Sequence, residues 1–192
     1  MKKDAMANDP ARNDRLILTD INDRSIGTAT KEQAHRQGLL HRAFSVLLFR
    51  ETETGREYLL SKRAAEKYHS AGLWANSCCS HPREGETVLS AAENRVSEEL
   101  GCTAKGLAEI GRFVYRAAFP NGLIEYESDH VLIGRFTGIL QPDPSEVSET
   151  RWVTAEEMNG LLVKTPELFA PWAFTVLSTA LSYEAKMHGD LA

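Results

Sequence analysis

Apolar and polar positions follow several distinct rhythms along this chain. Over residues 86–100, Val88, Leu89, Ala92, Val96 and Leu100 return at helical spacing and Gly101 stands where a C-terminal cap belongs, so this stretch is predicted as a helix. RAFSVLLFR (42–50) is an apolar run of strand length, ETETG (51–55) a turn and REYLLSKR (56–63) its return, which together predict a hairpin. RFVYRAAF (112–119) and LIEYESDHVLIGRF (123–136) predict two further strands, with Asn121 and Gly122 supplying the turn between them. ETRWVT (149–154) reads as another strand, and AEEMNGLL (155–162) and PWAFTVLSTALSYEAKM (171–187) read as helices. Hairpins dominate and helices intervene irregularly. That order predicts an α/β chain of the α+β type, a mixed sheet sandwiched between helices, rather than a doubly wound nucleotide fold; no Gly-rich phosphate loop is present. QPDPSE (141–146) reads as a loop inside the domain. Residues 1–14 are polar and aperiodic and are expected to form a disordered tail, with 15–192 making one domain.

Composition narrows the function. A chain of 192 residues with 42% hydrophobic content can bury one sizeable core. No apolar run approaches the ~20 residues that span a bilayer, and the N-terminus lacks the apolar stretch of a signal peptide, so a cytoplasmic protein is expected. A net charge of −5 argues against a broad nucleic-acid or anionic-membrane surface. An anionic substrate would have to be met by a local pocket of Lys and Arg. The three cysteines, Cys78, Cys79 and Cys102, are too few and too awkwardly spaced for a disulfide scaffold, and reduced thiols are expected.

Several groups stand out chemically. Glu98 and Glu99 fall in the last turn of the 86–100 helix, where the negative end of the macrodipole disfavours carboxylates; a divalent cation would offset that cost, and solvated surface acids are the plain alternative. Glu125 and Glu127, one residue apart in a strand, project from one face with Tyr126 on the other. Either water solvates that pair or a metal holds it together. His35 and His41 flank a short loop-like segment, RQGLL, and His81 follows Cys79 by two. Together with two carboxylates they would make a donor set suited to a divalent transition metal. His69, His130 and His188 do not fit that set and are read as surface or packing residues. A zinc finger at Cys78, Cys79 and His81 is rejected, since no second Cys pair follows. Cys78 and Cys102 read as buried packing residues.

GETVLSAAENRVSEELG (85–101) resembles the Nudix box, but Asn94 occupies its Arg position and Arg95 the position of a Glu that serves metal binding and water activation. A carboxylate has become a cation. That exchange should disable pyrophosphate hydrolysis and supply a phosphate-binding guanidinium. With LLHRAFSVLLF (39–49), LWANSCCSHP (73–82), FVYRA (113–117), IEYESDHV (124–131) and FAPWAF (169–174), the chain resembles the type I isopentenyl-diphosphate isomerase family from about residue 16 to 181.

The resemblance implies a Nudix-like fold and interconversion of isopentenyl and dimethylallyl diphosphates by protonation at one carbon and deprotonation at another. It implies that His35, His41, His81, Glu125 and Glu127 surround one divalent transition metal such as Mn²⁺ or Zn²⁺, and that Glu99 holds Mg²⁺ against the diphosphate. It implies Cys79 as the catalytic thiol, Glu127 as its partner in proton transfer, Tyr115 as a nearby hydroxyl and Trp172 as an aromatic over the reacting carbons. Lys31, Arg63, Lys67 and Arg95 are implied as diphosphate contacts. Glu86 and Glu98 belong to the box without an assigned use. Flanking charge would give Cys79 more thiolate character than a free thiol. The expected partner is a small-molecule diphosphate, with no nucleic acid and no membrane, on a monomer or weak homodimer. The alternative is a Nudix pyrophosphohydrolase acting on a nucleoside diphosphate derivative.

Overall fold

One strand organises the molecule. In the computed structural model, which describes residues 15–187, β3 (His41–Thr52) is flanked on one side by a single partner and on the other by three in succession. Along residues 41–49 it pairs in parallel with β8 (Ile124–Thr137). Its other edge meets β1 (Arg15–Thr19) at Leu18 and His41, then β6 (Cys78–Ser80), then β4 (Gly55–Arg63), all antiparallel. The sheet therefore splits along β3. β2 (Ser25–Thr30) extends the β1 side, β5 (Trp74–Ala75) and β9 (Val147–Thr154) flank β4, and β7 (Thr103–Ala118) pairs with β8. The tail expected over residues 1–14, like His188, lies outside the described residues.

The continuous apolar run of β3 is explained by helices on both faces of the sheet. Phe44, Val46 and Leu48 pack with Leu132 of β8 against Ala92, Val96 and Leu100 of α2 (Val88–Leu100). On the opposite face Leu47, Val131 and Ile133 pack against Met158 and Leu162 of α3 (Ala155–Lys164) and Val176 and Leu177 of α4 (Ala173–Met187). This is the mixed sheet between helices that the sequence predicts. Among the described residues no helix is long and apolar enough to cross a membrane.

Chemistry at the helix ends fixes their limits. The Thr87 hydroxyl accepts the Ser90 N–H, so α2 starts two residues later than the acidic run suggests. Gly101 ends it at φ 64, and a Cβ there would meet the Gln141 carbonyl oxygen at 2.5 Å. Thr154 and Glu157 form a capping box at the start of α3. The loop-like reading of the segment after His35 is corrected: His35 lies inside α1 (Lys31–Gln37), boxed by Thr30 and Gln33 and closed by Gly38. β7 begins well before the expected strand, because Gly106 and two register shifts disguise its alternation.

Candidate active site

The parallel register of β3 and β8 sets His41 directly opposite Glu127, and the register of β7 and β8 sets Tyr115 opposite the same residue. Glu127 thus receives a neighbour from each adjoining strand. Tyr115 donates its hydroxyl to Glu127 Oε2 at 2.6 Å, while Oε1 lies 2.7 Å from His81 Nε2 and 3.5 Å from His41 Nε2. Two residues back on the same strand face, Glu125 Oε1 lies 3.1 Å from His35 Nε2.

Each of these five residues offers one ligand atom, and the five atoms lie within 4.8 Å of one another. The backbone aims them. His35 Nδ1 faces the Lys31 carbonyl at 2.6 Å and His41 Nδ1 the Leu39 carbonyl at 2.8 Å; a carbonyl only accepts, so Nδ1 carries the proton in both rings and Nε2 turns inward. Those two Nε2 atoms and Glu125 Oε2 are buried with no hydrogen-bond partner. Three imidazoles and two carboxylates with orphaned inward donors fit a divalent metal ion.

In the protein alone the charges are unevenly placed. Burial pushes His81 down to about 4 despite Glu127 beside it. Burial also opposes charge on His35, but Glu125 outweighs it and holds that pKa above the usual value. Burial likewise disfavours the Glu125 carboxylate, yet the His35 and His69 imidazoles beside it keep it well below the ordinary range. Burial and Glu127 together raise the Tyr115 hydroxyl well above its usual value, so it remains a donor.

The thiol occupies the next part of the same cleft. β6 is extended, which turns Cys78 into the core under α2 and Cys79 to the other side. Cys79 Sγ receives the indole N–H of Trp172 at 3.2 Å and lies 3.1 Å from Asn76 Oδ1. In the protein alone burial pushes Cys79 up to about 12, opposite to the expected thiolate character, with Asp129 adding to the effect. Arg63 and the hydrogen bonds to Cys79 act the other way but do not prevail over burial.

The cleft, about 490 Å³, is also lined by Lys31, Arg63, Lys67, Arg95 and Glu99. The four cations arrive from α1, β4, the loop after it, and α2. Arg95 binds Glu98 at 2.8 Å and makes a shorter contact with Glu99, so in the protein alone a side chain of α2 itself offsets the carboxylates at its C-terminal end. Burial raises the pKa of Glu99, with Arg95 opposing. Lys67 pairs with Glu146, and Arg63 reaches the His69 carbonyl and stands 5.3 Å from the Trp172 ring.

Three residues of the site escape sequence reading. His69, read as a surface or packing residue, is buried with Nε2 2.5 Å from Glu125 Oε1 and its ring stacked on Phe119. Asp129 is buried behind Glu127 and accepts the Ser45 hydroxyl at 2.8 Å; burial and Glu127 hold its pKa well above the usual range. Asn76 is fully enclosed. His130, also read as surface or packing, is buried between Asp23 and Glu109 and is separate from the cleft. Alternation along LIEYESDHV does place Asp129 on the face of Glu125 and Glu127, and that was the available signal.

Residues 39–175 match the NUDIX domain family. The chain is 47% identical over 171 residues, 88% of its length and 95% of the relative's, to an isopentenyl-diphosphate Delta-isomerase of Photobacterium profundum. It is 42% identical over 177 residues, 92% of the chain and 97% of the relative, to an isopentenyl-diphosphate Delta-isomerase of Serratia proteamaculans. Among solved structures it resembles DR0079 from Deinococcus radiodurans, with TM-score 0.61 and 19% identity, covering 78% of this chain and 90% of that one. A MutT protein from Methanosarcina mazei Go1 gives TM-score 0.59 at 20% identity, covering 77% and 96%. These two likenesses concern the fold.

Proposed function

The chain belongs to the isopentenyl-diphosphate Delta-isomerase family of NUDIX-domain proteins, and on that footing we propose that it interconverts isopentenyl and dimethylallyl diphosphates. The observation that carries the proposal is the placement of a thiol, a tyrosine-bonded carboxyl and an indole in one cleft beside four cations, with Arg95 where a hydrolase would need a carboxylate.

His35, His41, His81, Glu125 and Glu127 would hold a transition metal such as Mn²⁺ or Zn²⁺, and Glu99 would meet a Mg²⁺ carried by the diphosphate. Bound there, the first ion would fix the Glu127 carboxyl in place and the second would neutralise phosphate charge.

The protein's own groups account for the rest. Lys31, Arg63, Lys67 and Arg95 bind the diphosphate, and that remote binding energy orients the short C5 chain. The alkene electron pair takes a proton at the terminal carbon, leaving positive charge on the tertiary carbon; the C–H bond on the carbon beside the CH₂O group then breaks and its pair forms the new double bond. Glu127 and Cys79 carry these two proton transfers, one each. The Tyr115 hydroxyl on Glu127 Oε2 sets which lone pair of that carboxyl is free. Trp172 offers its face to the cation, worth about 0.5–2 kcal/mol, and has no nucleophilic atom with which to trap it. Burial of Trp172 and Glu127 in the cleft excludes water from the intermediate.

The test is incubation of purified protein and Mg²⁺ with isopentenyl diphosphate in D₂O. Deuterium entering the terminal carbon and the carbon beside the CH₂O group is the expected result. Phosphate release from nucleoside diphosphate derivatives with no exchange would establish the hydrolase instead.

A further inference from the structure

The Cys79 sulfur is held by a residue that does not line the substrate cleft. Asn76 is 1% exposed and lies behind the thiol, in an adjoining chamber that has Arg63, Lys67, Cys79 and Glu99 in common with the cleft. Its Nδ2 atom donates to two backbone carbonyls, Val46 on β3 and Cys78 on β6, each at 3.0 Å. Turning the amide over would set its oxygen against both carbonyls, so the orientation is fixed and Oδ1 must face Cys79 Sγ, 3.1 Å away. An amide oxygen only accepts. The hydrogen in that contact therefore comes from the thiol.

The remaining neighbours of the sulfur agree. Trp172 Nε1–H donates to it at 3.2 Å, which uses a sulfur lone pair and supplies no acceptor. The Ser45 hydroxyl lies 3.5 Å from Sγ but gives its single proton to Asp129 Oδ2 at 2.8 Å. Asn76 thus offers the nearest acceptor to the S–H.

We propose that Asn76 is a positioning residue for the isomerisation: its side-chain oxygen fixes the Cys79 sulfur at the N–H edge of the Trp172 indole and turns the S–H away from the reacting carbons when the thiol is at rest. Rotation about Cβ–Sγ is then all that separates the parked proton from one aimed into the cleft, and no bond is made or broken in that motion. The amide has two separable jobs. Its NH₂ group ties β3 to β6, and its oxygen orients the thiol.

This proposal rests on the isomerase reading for its effect on turnover, but its primary test needs no substrate. The infrared S–H stretching band of Cys79, identified by its loss in Cys79→Ala, is expected in the wild-type protein at the lowered frequency of a hydrogen-bonded thiol. A band at the unbonded position, or no Cys79 band at all, overturns the assignment even if no Asn76 variant folds. In Asn76→Ala the band is expected to rise in frequency and kcat to fall roughly tenfold to a hundredfold, with KM unchanged within about twofold. Asn76→Asp loses the same two backbone bonds and keeps an acceptor oxygen, so it should melt lower, like Asn76→Ala, yet retain the lowered S–H frequency and more of kcat. Equal loss of kcat in both variants, or an unmoved band in Asn76→Ala, would reduce Asn76 to a structural tie. Absence of turnover in wild type would remove the isomerase reading and leave the band to decide the positioning.

Discussion

His41 and Glu127 are cross-strand partners in the parallel pairing of β3 and β8, and their ligand atoms come within 3.5 Å in a region closed to solvent. Neighbouring parallel strands thereby bring together two donors that are far apart in sequence. Tyr115 meets the same carboxyl from the other side of β8. Glu127 is consequently in contact with both the imidazole cluster and a hydroxyl, which suits a carboxyl that must keep its place while a proton moves.

Elemental analysis of purified protein should find one divalent ion per chain, and His41→Ala or Glu127→Gln should lose it. His69→Ala should be milder, because His69 touches Glu125 from outside the five-atom set. A ~10–100-fold weaker metal affinity is expected for that change. Full metal content in Glu127→Gln at limiting metal would sink the ligand assignment.

Removing a cleft cation should weaken substrate binding. Arg63→Ala and Lys67→Ala are expected to raise KM by at least about tenfold at low salt, the equivalent of ~1.4 kcal/mol, with the gap from wild type narrowing as salt screens the remaining charges. Tyr115→Phe keeps the cations and loses the hydrogen bond to Glu127, so its defect should fall on kcat. Steady-state kinetics across a salt series separates the two patterns, and an identical KM response in all three variants would contradict them.

Cys79→Ala should lose isomerisation by several orders of magnitude while keeping fold and metal; Cys78→Ala, altered only in the core under α2, should stay active. Because burial keeps both thiols protonated, iodoacetamide should modify the native protein slowly near neutral pH, and much faster after urea unfolding. Mass spectrometry of the alkylated peptide gives the site and the rate. Rapid native labelling would show that the sulfurs are more open than their burial implies.

Cys102 makes alkaline pH unfavourable to the fold. Burial raises its folded pKa from 9.0 to about 11, so its contribution is whole below 9.0, where both folded and unfolded thiols are protonated. Between those values the unfolded chain releases a proton that the folded one retains, and stability declines as pH rises. Urea midpoints measured across pH 9 to 11 should fall less steeply in Cys102→Ala than in wild type. Parallel pH slopes would remove Cys102 as a cause.

Gly101→Ala should destabilise by more than the ~1 kcal/mol that removing a glycine ordinarily changes, since φ 64 and the Gln141 carbonyl both oppose a Cβ. Thermal melting measures it. A melting temperature equal to wild type would mean that the 138–146 loop yields freely.

Local pattern settled a good deal of this protein. Helical spacing in 88–100 states which side of α2 is apolar, and strand alternation in 124–131 puts Glu125 and Glu127 on one face, because a side chain's direction follows from backbone geometry one or two residues away. The alternation of Cys78 and Cys79 likewise separates a core sulfur from a cleft sulfur. Short-range rules fail where distant segments meet. That β3 runs parallel to β8 and that His69 folds back onto Glu125 are outcomes of packing between elements that no local period encodes. The charge around Cys79 belongs with them: the Lys and Arg groups that would favour a thiolate come from distant segments, and in the protein alone burial outweighs Arg63.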